Sequence, residues 1–224
     1  MNHASASSLP SGTVTLLFSD MEGSTALLAR LGERHAEVLS AQRALLREAF
    51  DACGGRELGT EGDSFVVVFR SAGDAVRCCV AAQRALAGYR WPEGARVRVR
   101  MGLHSGEPAR HEGGYVGMDV HRAARIAAAA HGGQTVLSDP TRLLAQARMP
   151  PGVSVRDLGW HRLKDIEAPE HLYQLVVAGL PEQFPPLKSL GAPTSLPVPP
   201  TPLVGRDSDL HQLRSVIVRP GSAC

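Results

Sequence analysis

Thr13-Val-Thr-Leu-Leu-Phe18 is the stretch that most limits what this chain can become: a short apolar, β-branched run that stops abruptly at Ser19-Asp20-Met21-Glu22-Gly23-Ser24-Thr25. A run of this length with turn residues behind it reads as a buried strand. Past it, Leu27, Leu28 and Leu31 fall on one face of a helix that Gly32 breaks. A buried strand feeding straight into a helix implies a sheet with helices packed on it.

The alternation continues downstream. Residues 33–53 place Val38, Leu45, Leu46, Ala49 and Phe50 at helical spacing, closed by Gly54-Gly55. Residues 56–59 and 65–69 read as a strand pair around Gly59-Thr-Glu-Gly-Asp63-Ser64, a hairpin by its glycines. A helix over 72–89 follows, then a strand over 96–104 in which basic residues alternate with Val and Met. A helix over 116–131 and a short strand over 134–138 come next, and 153–158 with 171–177 form a closing strand pair. The order β-α-α-β-β-α-β-α-β implies an α+β or α/β sandwich, with helices covering a mixed sheet.

Composition narrows the function. A formal net charge of +2 over 224 residues leaves no excess of cations for a broad nucleic-acid footprint. Lys164 and Lys188 are the only lysines, so the positive charge is almost all arginine. No apolar run approaches the roughly 20 residues of a membrane span. The first twelve residues lack the basic and apolar regions of a secretory signal. The expectation is a cytoplasmic protein without membrane or direct nucleic-acid contact. Cys53, Cys78, Cys79 and Cys224 lack metal-site spacing and read as idle thiols. Residues 1–11 read as a flexible start. Nine of the 16 prolines crowd between Pro181 and Pro220, so residues 179–200 read as a semi-rigid linker and 201–224 as a following domain cut short.

Asp20 closes a buried strand and Asp63 sits in a hairpin. Two carboxylates that are costly to bury unpaired invite a shared cation. Right after Asp20, the helix opening at Gly23, Ser24 and Thr25 offers free N–H groups and a positive dipole end to phosphate oxygens. Together these features point to a nucleoside triphosphate bridged by magnesium or manganese. The plainer alternative is that Asp20 caps the helix and Asp63 serves a turn.

Five blocks then appear in order: Phe18-Ser-Asp20-Met-Glu-Gly23-Ser-Thr25; Glu61-Gly-Asp63-Ser-Phe-Val-Val-Val-Phe69; Arg100-Met-Gly-Leu-His104-Ser-Gly106; Gly117-Met-Asp-Val-His121-Arg-Ala-Ala-Arg125-Ile; and Gly133-Gln-Thr-Val-Leu-Ser138. In this order and spacing, residues 12–178 resemble the catalytic domain of class III adenylate/guanylate cyclases. The resemblance implies a ferredoxin-like βαββαβ core with additions, and conversion of ATP or GTP to the 3′,5′-cyclic monophosphate plus pyrophosphate. It implies two Mg2+ or Mn2+ ions per site, held by Asp20 and Asp63 with the Met21 carbonyl as a further ligand. It also implies a homodimer with shared active sites, in which Arg125 of one subunit stabilises charge developing on the phosphate held by the other. By the same resemblance, Lys164 reaches the triphosphate.

The departures are as informative. The resemblance implies a purine-reading lysine four residues before Asp63, where Gly59 stands, and a partner aspartate, Thr, Ser or Cys where Gly114 stands. His121 replaces the asparagine that helps hold the ribose. Asp165 follows Lys164 in place of a glycine. These losses favour an alternative role: a weak or inactive cyclase-homology module that binds nucleotide or dimerises. Residues 196–213 resemble the lead-in to an NB-ARC-type ATPase, though no phosphate-binding Gly-rich loop follows.

Overall fold

The computed structural model describes residues 9–92 and 95–190. The first strand, β1 (Val14–Met21), runs into α1 (Ser24–Leu31), a short 3-10 turn and α2 (His35–Ala52). β2 (Arg56–Glu61) and β3 (Ser64–Phe69) form the hairpin, followed by α3 (Ala72–Gly88) and β4 (Val99–Gly106). A small hairpin, β5 (Ala109–His111) with β6 (Gly114–Val116), precedes α4 (Met118–Ala129). Then come β7 (Thr135–Ser138), α5 (Asp139–Ala145), β8 (Val153–His161) and β9 (Glu170–Val177).

Seven strands form one sheet in the order β2-β3-β1-β4-β7-β9-β8. Every pair is antiparallel except β4 with β7. The first four neighbours are the ferredoxin-like core, so the chain is α+β with additions on the β4 side, as the sequence implies. Unforeseen were the β5–β6 hairpin and α5, whose Asp139-Pro140 start is an ordinary helix-opening signal.

The two faces of the sheet are covered unequally. Leu17 and Met21 of β1 and Phe65 and Phe69 of β3 pack with α1, α2 and α3 in the larger core. Val14, Leu16 and Val68 face the other way, toward Ala123 of α4. Period-two alternation puts Asp20 on that second, α4 side. Gly102 sets how closely α4 approaches: a Cβ there would lie 2.2 Å from the Ala127 backbone nitrogen. Cys78 and Cys79 are buried in α3, where burial pushes both thiols up and keeps them protonated. Cys224 lies outside the described residues, as do residues 1–8 of the segment expected to be flexible, the Pro-rich stretch beyond 190 and the segment that resembles an ATPase lead-in. Residues 179–190 lie along the domain: Lys188 N–H donates to Ala129 O at 2.9 Å and Leu190 N–H to Arg162 O at 3.0 Å.

Candidate active site

Asp20 lies directly opposite Arg100 in the β1–β4 ladder. Cross-strand neighbours on one face meet through their side chains. Arg100 Nε donates to Asp20 Oδ2 at 2.8 Å, and Nη2 donates to the same oxygen. From β3, Ser64 Oγ donates to Asp20 Oδ1 at 2.7 Å. Asp63 accepts from the Met21 backbone N–H at 2.9 Å through Oδ2. The pattern is crossed: the residue after each aspartate bonds to the other aspartate. That crossing ties the two aspartates to each other through Met21 and Ser64.

Asp63 sits with Gly62 in a two-residue hairpin turn between the paired residues Glu61 and Ser64. Gly62 supplies the left-handed backbone, φ 57°, that the first turn position needs. Helix α2 braces this turn. Gln42 Nε2 donates to Asp63 O at 3.1 Å, and Arg43 donates to Gly62 O through Nε at 2.9 Å and through Nη2. Gln42 is fully buried, and its Oε1 has no partner among the described residues. An unpaired buried acceptor costs about 1–3 kcal/mol.

Beyond Asp20, Gly23 turns the chain at φ 73° into α1, and the first helical bond is Leu27 N–H to Gly23 O at 2.9 Å. The N–H groups of Ser24 and Thr25 therefore start the helix without an acceptor in the preceding turn. Glu22, just before, is paired with Lys188 at 2.8 Å and Arg98 at 3.1 Å. The Lys188 hydrogen bond holds its carboxyl below the usual range. A cavity of about 300 Å3, lined by Phe18, Asp20, Ser64, Arg100, Ala124 and Ala128, opens beside Asp20. A larger one of about 460 Å3, beneath residues 180–185, approaches the site only through Glu22.

Among the described residues His121, Arg125 and Lys164 make no hydrogen bond or ion pair with Asp20 or Asp63. His121 and Arg125 are one turn apart on α4, so they share a face. Arg125 Nη2 is ion-paired with Asp165 Oδ2. Asp165 lies in the loop between β8 and β9, beside exposed Lys164, with left-handed backbone at φ 60°. Asp165 thus takes the conformation a glycine supplies without strain. That loop joins the strands at the far end of the sheet from β1 and β3. At Gly59 a Cβ would meet nothing within 4 Å, and at Gly114 only His111 O at 3.8 Å. The two positions where a purine-reading pair was expected carry no side chain and have room for one. Sequence reasoning missed Arg100, Ser64, Gln42, Arg43 and the Asp165 pairing. Arg100 left a signal as one of the basic residues alternating along its strand, and Asp165 as the residue standing in place of a glycine.

Among the described residues no group of three or more Asp, Glu, His or Cys side chains forms a cation cage. Two adjacent carboxylates and the nearby Met21 carbonyl are all-oxygen donors. They fit a hard ion such as Mg2+ or Mn2+, which takes few protein ligands and completes its shell with water and substrate phosphates.

A family model described as the adenylate and guanylate cyclase catalytic domain matches residues 7–175. The chain belongs to this family. An uncharacterised protein of Mycobacterium tuberculosis is 39% identical over 205 residues, covering 90% of this chain and 70% of that protein. An adenylate cyclase of Podospora anserina is 28% identical over 74% of this chain, which is only 10% of that protein. Among solved structures, an adenylate cyclase from Trypanosoma brucei in its monomeric state matches with TM-score 0.72 at 25% identity, covering 85% of this chain and all of that one. An adenylate/guanylate cyclase/hydrolase from Silicibacter pomeroyi matches with TM-score 0.64 at 26% identity, covering 76% of this chain and 99% of that one. No helix among the described residues is long and apolar enough to cross a membrane.

Proposed function

We propose that this chain is a purine nucleotide cyclase that converts ATP or GTP to the 3′,5′-cyclic monophosphate and pyrophosphate, in intracellular signalling. The observation that carries this reading is the crossed pair of bonds, Met21 N–H to Asp63 and Ser64 Oγ to Asp20, which holds two carboxylates together beside a helix N-terminus. Asp20, Asp63 and the Met21 carbonyl would hold the Mg2+ or Mn2+ ions. Such ions, when bound, polarise the phosphates and lower the pKa of the attacking 3′-hydroxyl. The N–H groups at Gly23, Ser24 and Thr25 take phosphate oxygens. Arg100, beside Asp20, would offer its guanidinium to the triphosphate if a bound cation took its place on that carboxylate.

Arg125 is tied to Asp165 at the β8–β9 end of the molecule. The second subunit of a homodimer supplies what Asp20 and Asp63 lack: its Arg125 for charge developing on the α-phosphate, its His121 toward the ribose and its Lys164 toward the triphosphate. A second reading, a nucleotide-binding or dimerising regulatory module, is favoured by the empty purine-reading positions and by the engagement of Arg125 with Asp165.

The direct test is formation of cyclic product from ATP and from GTP with Mn2+ or Mg2+, comparing the native chain with Asp63→Ala. The enzyme reading expects product that falls to background in the variant. Equal rates in the two proteins would end that reading, and nucleotide binding without turnover would establish the module.

A further inference from the structure

We propose that Gln42 is a positioning residue that sets how tightly Asp63 holds its cation. This rests on the reading of Asp20 and Asp63 as a metal pair. Gln42 is an amide where the sequence pattern of α2 asks only for apolar filling: it is fully exposed to the core and not at all to solvent, in the same buried row as Val38 and Leu46. Its Oε1 is left unpaired there, so packing alone would be served better by Met or Leu, which fill similar volume without an orphan acceptor.

What the amide adds is one bond, Nε2 to the Asp63 carbonyl at 3.1 Å. A two-residue turn is short of ladder partners, and α2 brings side-chain donors to its two successive carbonyls, Gln42 to Asp63 and Arg43 to Gly62. Asp63 is then fixed twice, by its main chain from α2 and by its carboxylate from Met21 N–H. Without Gln42, the turn retains Arg43 at Gly62, and Asp63 keeps only the bond from Met21 N–H, with its main chain no longer tied to α2. Part of the ordering of that carboxylate must then be supplied when the cation binds, which weakens binding without unfolding anything.

The test titrates Mn2+ into the full chain, follows the free ion by electron paramagnetic resonance, and measures the unfolding temperature of each variant. Gln42→Met is expected to weaken Mn2+ binding by about tenfold while its unfolding temperature stays level or rises. Unchanged affinity in Gln42→Met overturns the proposal. A loss of affinity that tracks a fall in unfolding temperature, repeated in Gln42→Leu, also overturns it by making Gln42 a packing residue. Asp63→Ala separates the premise: binding as tight as native in that variant removes the metal pair itself.

Discussion

The acidic and the cationic halves of the candidate site are built in opposite ways. Asp20 and Asp63 are held by β3, β4, α2 and the backbone of β1, with donors to both carboxylates and to the turn that carries Asp63. Arg125 is held by one ion pair whose side chains are 36% and 61% exposed, and His121 and Lys164 are exposed. A fold fixes in advance what must bind a small, geometrically demanding cation. Groups that act only after a second surface arrives can be left on the outside. The contrast is what the proposed site, divided between two copies of the chain, would require.

The strongest way to break that contrast is complementation. Asp20→Ala and Arg125→Ala are each expected to be inactive, because in the proposed homodimer each would spoil both sites. Mixed in equal amounts, they are expected to recover about a quarter of the native rate: half of randomly paired dimers are mixed, and each of those keeps one intact site of two. A mixture that stays at background, with mixed dimers shown to form, would place the acidic and cationic groups of one chain in the same site.

The unequal construction also explains what could be read from the sequence. Asp20 and Asp63 were legible because each sits where an element ends, a strand running into a helix and a glycine turn, and such junctions follow from local pattern. The sheet order was legible only through the blocks that carry the family resemblance, since pairing β4 with β7 in parallel is decided by long-range packing. Arg100, Ser64 and Gln42 are set by cross-strand register and helix docking, which no local window contains. Asp165 was noted as a substituted glycine, yet its pairing with Arg125 joins residues 40 apart in the chain.

Asp165 gives the intermediate effect. Its carboxylate occupies the guanidinium that the partner's phosphate would need, so releasing it is expected to raise turnover. An exposed pair is worth no more than about 1 kcal/mol, which limits the rise to roughly fivefold. Asp165→Gly removes the carboxylate and suits the left-handed backbone; Asp165→Asn keeps the shape and tolerates the same φ. Steady-state rates at saturating nucleotide check this. A fall in both variants would mean that the pair holds Arg125 ready for catalysis, and would move Asp165 into the cationic half as a support.

The smallest expected effect concerns what seats α4 on the sheet. His104 of β4 is buried between Ser138 and Asp119, the acid in the first turn of α4. A carboxylate only accepts, so Nε2–H donates to Asp119 at 3.2 Å, and Nδ1 accepts from Ser138 Oγ at 2.9 Å. Burial depresses the imidazole, against the pull of Asp119 and more distant Glu170; Arg122, itself bonded to both acids, adds to the depression. A histidine with a lowered folded pKa binds fewer protons folded than unfolded. Its contribution is therefore complete above the ordinary value of about 6.5 and is lost as pH falls from there through the lower folded value. Unfolding temperature is expected to decline between pH 7.5 and 5.5, and His104→Gln, which offers both an amide donor and an acceptor, is expected to decline less steeply over the same interval. The depressed carboxyls of Glu22, Glu57 and Asp157 titrate below that interval and do not confuse the reading. Equal slopes in the two proteins would mean that the His104 bond adds nothing to the seating of α4, which would then rest on its apolar contacts, the Gly102–Ala127 approach and the remaining bonds of Asp119 and Arg122.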